Sequence, residues 1–320
     1  MVQHAALSVS EERASLTRSA ALASISVALF LGVLKTWAVW QTGSTAMLGS
    51  LADTALDLVA SCATLIAVWV AARPADDDHR FGHGKAEALA AMFQVILIAL
   101  SASAIAFRAV LALVDGQETR AAEAGIGVSI VAIVATMGLV AWQKHVVRKT
   151  NSVAIQTDSI HYQSDILLNL AVIAALVLDQ LAGFAAADPL LGLAIAAWLM
   201  WNAWSAAGDA IDHLMDREWP EDKRRAFVEA AARHHELANL HDLRTRTSGT
   251  ADFAQFHVDM PGGMTVAEAH DVIDRVETDL VAQFPGLELL IHIDPAGHVD
   301  EPDNPLTETD EFALLEDNTP

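Results

Sequence analysis

Cysteine is almost absent from this 320-residue chain, with Cys62 the single one. That excludes an intramolecular disulfide and every zinc motif built from several thiolates, so any metal chemistry must use oxygen and imidazole ligands. Cys62 itself reads as core packing in an apolar segment. Basic residues are scarce too: 19 Lys and Arg face 41 Asp and Glu, for a formal charge of -22. Such a balance argues against a nucleic-acid partner, which needs a basic surface. A nucleophile elbow, a phosphate loop and a cofactor fingerprint are all missing, which speaks against an enzyme. The first apolar run has no small-residue cleavage site and continues into Lys35-Thr-Trp-Ala-Val-Trp, so it reads as a retained span rather than a signal peptide.

What the chain has in abundance is apolar sequence. At 53% hydrophobic residues and a positive mean hydropathy, it reads as an integral membrane protein. Six runs reach the length a membrane-crossing helix needs, at residues 15 to 40, 45 to 72, 86 to 114, 122 to 145, 153 to 181 and 187 to 212. This divides the chain into a polar lead-in at 1–14, a six-helix membrane domain at 15–214, a soluble domain at 215–298 and an acidic tail at 299–320. Arg73, Arg80, Lys85, Lys144, Arg148 and Lys149 fall in the loops on one side and only Arg120 in those on the other, which predicts both termini in the cytoplasm. Lys35 and Arg108 lie near outer span ends, where long side chains snorkel to the interface.

Two spans carry ionisable pairs at helical spacing. Asp53 and Asp57 stand four residues apart in the second, and His161 and Asp165 in the fifth. Residues i and i+4 share a helix face, so two such helices facing each other would form a four-ligand cage. Charges inside a bilayer are costly and mark ion pathways, which predicts a transport site for a divalent metal. Asp158, nearer the inner end, reads as solvated. The loop from Pro74 to Lys85 concentrates Asp76, Asp77, Asp78, His79 and His83; this suits a more exposed metal site or, equally, an acidic turn whose Gly82 and Gly84 permit a reversal.

The soluble part reads as α-β-β-α-β, a small α+β sandwich. Its helices are expected at 221–236 and after a capping box at Thr265 and Glu268, and its strands at 241–248, 252–260 and 287–294. Val266, Ala269, Ile273, Val276, Leu280 and Phe284 form one apolar stripe. His241, His257, His270, His292 and Asp294 are candidate ligands, the last two on one strand face. The tail, with acids and no Lys or Arg after His298, is expected to be disordered.

The Asp-x3-Asp and His-x3-Asp spans, the Pro-Ala-Asp-x-x-His-x-Phe-Gly-His-Gly-Lys loop and the C-terminal His-Asp-Leu-Arg-Thr-Arg together resemble the cation diffusion facilitator family, in its bacterial YiiP-like zinc branch. The resemblance covers residues 12 to 296. It implies a membrane α-helical protein with six transmembrane helices and a cytoplasmic ferredoxin-like α+β domain, located in the bacterial inner membrane. It also implies a homodimer embedded in lipid that exchanges Zn2+ for protons by alternating access. The ligand sets it implies are Asp53, Asp57, His161 and Asp165 for transport, Asp76, His79 and His83 in the loop, and His241, His257, His292 and Asp294 with His270 in the soluble domain. Lys85 and Asp216 match an interlocking charge pair. Ile293 and the lack of a cysteine after Pro295 depart from some relatives, which speaks against a polar bridging ligand at 293 and against full occupancy of a two-metal cluster. Fe2+, Cd2+ or Mn2+ would be accepted by the same donors. A metal-sensing membrane scaffold is the competing class, and it would not need ligands inside the bilayer.

Overall fold

The computed structural model describes residues 2–42, 45–115, 125–182, 186–249, 251–297, 310–312 and 315. Arg120, Glu123, Thr250 and most of the acidic tail lie outside the described residues. Two compact units are formed, Arg13–Leu214 and Met1–Glu12 with Met215–Pro320.

The first unit holds six long helices: α1 (Val2–Thr42), α2 (Thr45–Ala71), α3 (Ala86–Asp115), α4 (Gly125–Thr150), α5 (Val153–Ala182) and α6 (Ala187–Leu214). Among the described residues five of them, all but α5, contain segments long and apolar enough to cross a membrane. At 30 residues, α5 is also longer than the ~20 needed for a bilayer. Helix α1 runs from Val2, within the polar lead-in. Leu29, Val33, Trp37, Trp40, Trp201 and Trp204 are exposed on helix surfaces, as lipid-facing side chains should be. Cys62 is exposed as well, which corrects its reading as core packing: its place on α2 faces outward.

Small residues let the helices approach closely. Ala20, Ala21, Val68, Val146, Ala154 and Ile155 form one buried cluster, and Ile98, Ala102, Leu199, Ala203 and Ala206 belong to another between α3 and α6. The two-residue link between α4 and α5 is tight. Asn151 takes a left-handed φ of 53°, a position Asn tolerates at a helix end. Ser152 Oγ then accepts from the Ile155 N–H at 3.4 Å and donates to the buried Glu87 in the first turn of α3.

In the C-terminal domain α7 (Glu221–Ala231), β1 (Ala238–Ser248), β2 (Ala251–Met260), α8 (Val266–Gln283) and β3 (Leu287–Pro295) follow the expected order. The sheet order is β1-β2-β3, with β1 antiparallel and β3 parallel to β2; the parallel pair needs the α8 crossover. Phe256, Val258 and Met260 alternate inward along β2 and meet Phe227 of α7 and Ile273, Val276 and Leu280 of α8. The capping box at Thr265 and Glu268 is present. Helix α7, strand β1 and the apolar stripe of α8 differ in detail from expectation, β1 beginning at Ala238 instead of His241. Helix α7 stops at Ala231 so that Leu237 and Leu240 can enter the core, and Val266, in the first turn of α8, is 88% exposed.

The tail also departs from expectation where it is described. Glu311 is buried and pairs with Arg224, while Phe312 and Leu315 pack against the domain core. Burial raises the Glu311 carboxyl above its usual range, against the pull of the adjacent Arg224. These residues are docked rather than disordered.

Candidate metal centres

Helices α2 and α5 bring Asp57 and His161 together. The imidazole Nε2–H donates to Asp57 Oδ1 at 2.7 Å, and both side chains are 13% exposed. Asp165, one turn along α5 on the same face, completes a group whose ligand atoms lie within 4.8 Å of one another. Asp53 is not in that group. It lies one turn before Asp57 on α2 and is exposed, so the structure assembles three of the four expected ligands. Lys35 does not snorkel outward: its Nζ donates to Thr54 Oγ1 at 2.6 Å and to the Ser50 carbonyl at 3.2 Å, crossing from α1 to α2 beside Asp53.

The loop between α2 and α3 gathers Asp76, His79 and His83. Asp76 Oδ1 accepts from the His79 N–H at 2.7 Å and the Asp78 N–H at 3.1 Å. The His79 N–H holds its carboxyl below the usual range. His83 Nε2 stands 3.3 Å from Asp76 Oδ2, and its buried Nδ1 has no protein partner among the described residues. Gly82, at φ 76°, makes the turn and donates its N–H to the His79 carbonyl at 2.9 Å. The loop thus points two imidazoles and a carboxylate at one place, with a spare nitrogen.

In the C-terminal domain the strand register aligns three histidines. His241 on β1 is opposite His257 on β2, which is opposite His292 on β3, and residues directly opposite share a face. Asp294 lies two residues beyond His292 on that face. Its Oδ2 is 2.9 Å from His257 Nδ1 and 3.8 Å from His241 Nε2, and its Oδ1 is 3.5 Å from His292 Nε2. Irregularities on either side of His241, with Asn239 and Asp242 at φ 48° and 49°, re-aim this stretch of β1 as bulges do. The Asn239 carbonyl accepts from His241 Nδ1 at 2.7 Å, fixing the ring. Sequence reading missed Asp242, whose Oδ2 is 3.8 Å from His257 Nε2. His270 is not brought in: beside the inward Ala269, it is on the exposed side of α8, 3.7 Å from Asp274.

Lys85 and Asp216 belong to different units. Within its own, Lys85 Nζ donates to the Leu214 carbonyl at 3.1 Å, and Asp216 pairs with Arg246 at 3.4 Å.

Comparison with known proteins settles the class. Residues 21–215 match the cation efflux transmembrane domain and residues 219–296 the cytoplasmic domain of cation efflux proteins. The chain belongs to the cation efflux family, the cation diffusion facilitators. It is 40% identical to the cation-efflux pump FieF of Cronobacter sakazakii over 284 residues, 89% of this chain and 94% of that one. With FieF of Pectobacterium atrosepticum it shares 40% over 288 residues, 90% and 96% of the two chains. A solved zinc form of the transporter CzrB is 35% identical over 27% of this chain and 99% of its own, at a TM-score of 0.24. This cation efflux protein is therefore a multi-pass membrane transporter of divalent cations with a cytoplasmic domain, and not an enzyme.

One residue of this cation efflux protein overturns its sequence reading. Asp158, expected to be solvated, is 0% exposed. Ser24 Oγ and Gln143 Nε2 donate to its Oδ2 at 2.6 and 2.8 Å, and Gln94 Nε2 to its Oδ1 at 2.9 Å. Gln94 and Gln143 are uncharged residues in apolar helices, so only the polar exceptions in α3 and α4 signalled their role.

Proposed function

We propose that this protein exports Zn2+ in exchange for protons by alternating access, with Asp53, Asp57, His161 and Asp165 as the transport ligands. The observation that carries the reading is the 2.7 Å contact between Asp57 and His161 across two helices, with Asp165 in reach. Each ionisable group at bilayer depth costs at least about 2.5 kcal/mol, so three of them converge there only for a cation's sake. Asp53, one turn away, completes the tetrahedron when α2 closes on the ion. Carboxylate and imidazole donors suit Zn2+ and also admit Fe2+, Cd2+ or Mn2+.

The loop group Asp76, His79 and His83 and the sheet group His241, His257, His292 and Asp294 are regulatory metal stations. The cytoplasmic domain pairs two copies into a homodimer. Both termini face the cytoplasm of a bacterial inner membrane, in keeping with the Lys and Arg bias of the inner loops.

Zinc flux in proteoliposomes, with and without an imposed pH gradient and with Asp57→Ala beside wild type, tests the reading. Gradient-driven flux that Asp57→Ala removes is expected. Equal flux in the variant refutes the site, and flux blind to the gradient refutes antiport.

A further inference from the structure

We infer that Asp158 is the positioning residue of the transport site: a buried carboxylate that clamps α5, and with it His161 and Asp165, against α1, α3 and α4. The inference rests on the reading of Asp57, His161 and Asp165 as transport ligands. Asp158 precedes His161 by three residues and Asp165 by seven, so all three lie within one broad face of α5. Whatever fixes the helix at 158 fixes the azimuth of both ligands.

The clamp is fully enclosed. Asp158, Gln143 and Ser24 are 0% exposed and Gln94 is 1% exposed. Donors reach the carboxylate from Ser24 on α1, Gln94 on α3 and Gln143 on α4. Gln143 Nε2 also donates to Ser24 Oγ at 3.0 Å, and Gln94 Nε2 to Thr64 Oγ1 of α2 at 2.6 Å, so the network spans five helices. Tyr162, beside His161, adds a tie at the next turn: its hydroxyl is 2.9 Å from Ser61 Oγ on α2 and donates to the Ser24 carbonyl at 3.2 Å.

The direction of the hydrogen bonds, and not only shape, holds this arrangement. Both glutamines turn their NH2 groups to Asp158, and the Oε1 of each is left buried without a partner among the described residues. A buried orphan acceptor costs free energy. Two are tolerated because each amide has both of its N–H donors engaged, on Asp158 and on Thr64 or Ser24. A carboxamide at 158 would set an NH2 against the donors and release α5.

The test uses the full-length dimer in proteoliposomes and reads the KM and kcat of zinc flux. Asp158→Asn should raise KM by about 10 to 100-fold, the cost of losing a partner that orients metal ligands, with a smaller loss in kcat. The double variant Asp158→Asn with Gln143→Glu returns an acceptor facing a donor across the same gap and keeps one carboxyl group there. It should recover KM to within roughly threefold, the non-additivity expected of contacting residues. If Asp158→Asn fails to assemble, Asp158→Glu, which keeps the carboxyl group but displaces it by one methylene, should assemble and show the raised KM. Asp57→Ala separates the two levels of the argument. Wild-type KM in Asp158→Asn or Asp158→Glu while Asp57→Ala is inactive overturns the clamp alone. An assembled double variant with no recovery also overturns it. Activity in Asp57→Ala overturns the transport-site reading beneath it.

Discussion

Asp57 on α2 and His161 on α5, separated by 104 positions in sequence, meet at 2.7 Å inside the helical bundle. Nothing else in the membrane unit places a carboxylate against an imidazole with a second carboxylate, Asp165, in ligand range among the described residues. A cation held there would bridge α2 and α5.

Replacing either partner should therefore abolish flux while leaving the fold intact. Asp57→Ala or His161→Ala is expected to lower zinc transport by more than the roughly 100-fold that a lost outer-shell partner costs. Size-exclusion elution should match that of wild type. Wild-type transport rates in purified, correctly assembled variants would remove these residues from the site.

A milder result is expected at the loop. His79 is 59% exposed at its side chain and lies against Asp76, itself 53% exposed; a metal there competes with water. His79→Ala or His83→Ala should shift the zinc concentration dependence by a few-fold, well under the 100-fold ceiling for outer-shell changes. Complete loss of transport would mean that the loop, and not the bundle, carries the ion.

Much of this was legible in the sequence because its periodicities are strong. The i, i+4 pair at 161 and 165, the apolar runs, and the capping box at Thr265 translate directly into geometry, whereas of the pair at 53 and 57 only Asp57 joins the site. Asp158 was misread because spacing along one helix says nothing about which neighbours face it; glutamines from α3 and α4 gave it a buried role. The histidine row at 241, 257 and 292 depends on strand register, and the bulged stretch around His241 cannot be read from composition. The docked Glu311 and Phe312 were hidden by the acidity of the tail around them.

For the cytoplasmic domain, residues 215–298 expressed alone should gain stability and dimerise more tightly with Zn2+. A ligand at one hundred times its Kd contributes about 2.7 kcal/mol, and His257→Ala should remove most of the gain. Thermal melts and sedimentation with and without metal check this. Identical behaviour in both conditions would deny the sheet cluster a metal.

The docked tail should matter to the same domain. Deleting residues 310–320 uncovers core contacts of Phe312 and Leu315 and leaves Arg224 without Glu311. A loss of about 1 kcal/mol is expected from the partial burial of these side chains, seen as a lower urea midpoint. An unchanged midpoint would return the tail to a passive role.

Acid should weaken the start of α8. The Thr265 backbone N–H holds the Glu268 carboxyl below its usual value, with the threonine hydroxyl helping. A depressed folded-state value means that the contribution is present above the ordinary carboxylate range and is lost as pH falls through the folded value. Stability of the isolated domain should therefore fall on acidification less steeply in Glu268→Gln than in wild type. Parallel pH profiles would show that the capping box is not linked to protons.

The central claim, proton-coupled export through His161 and its carboxylates, turns on competition at one imidazole. An imidazole binds metal only when its ligating nitrogen is unprotonated, so protons and metal compete for the same atom. Zinc flux in wild-type proteoliposomes under an imposed pH gradient is the most direct measurement. The account predicts that protons moving into the cytoplasmic compartment drive zinc out of it, and that His161→Asp weakens this coupling more than it weakens binding. Zinc flux of the same rate and direction with the gradient imposed, abolished or reversed would contradict it.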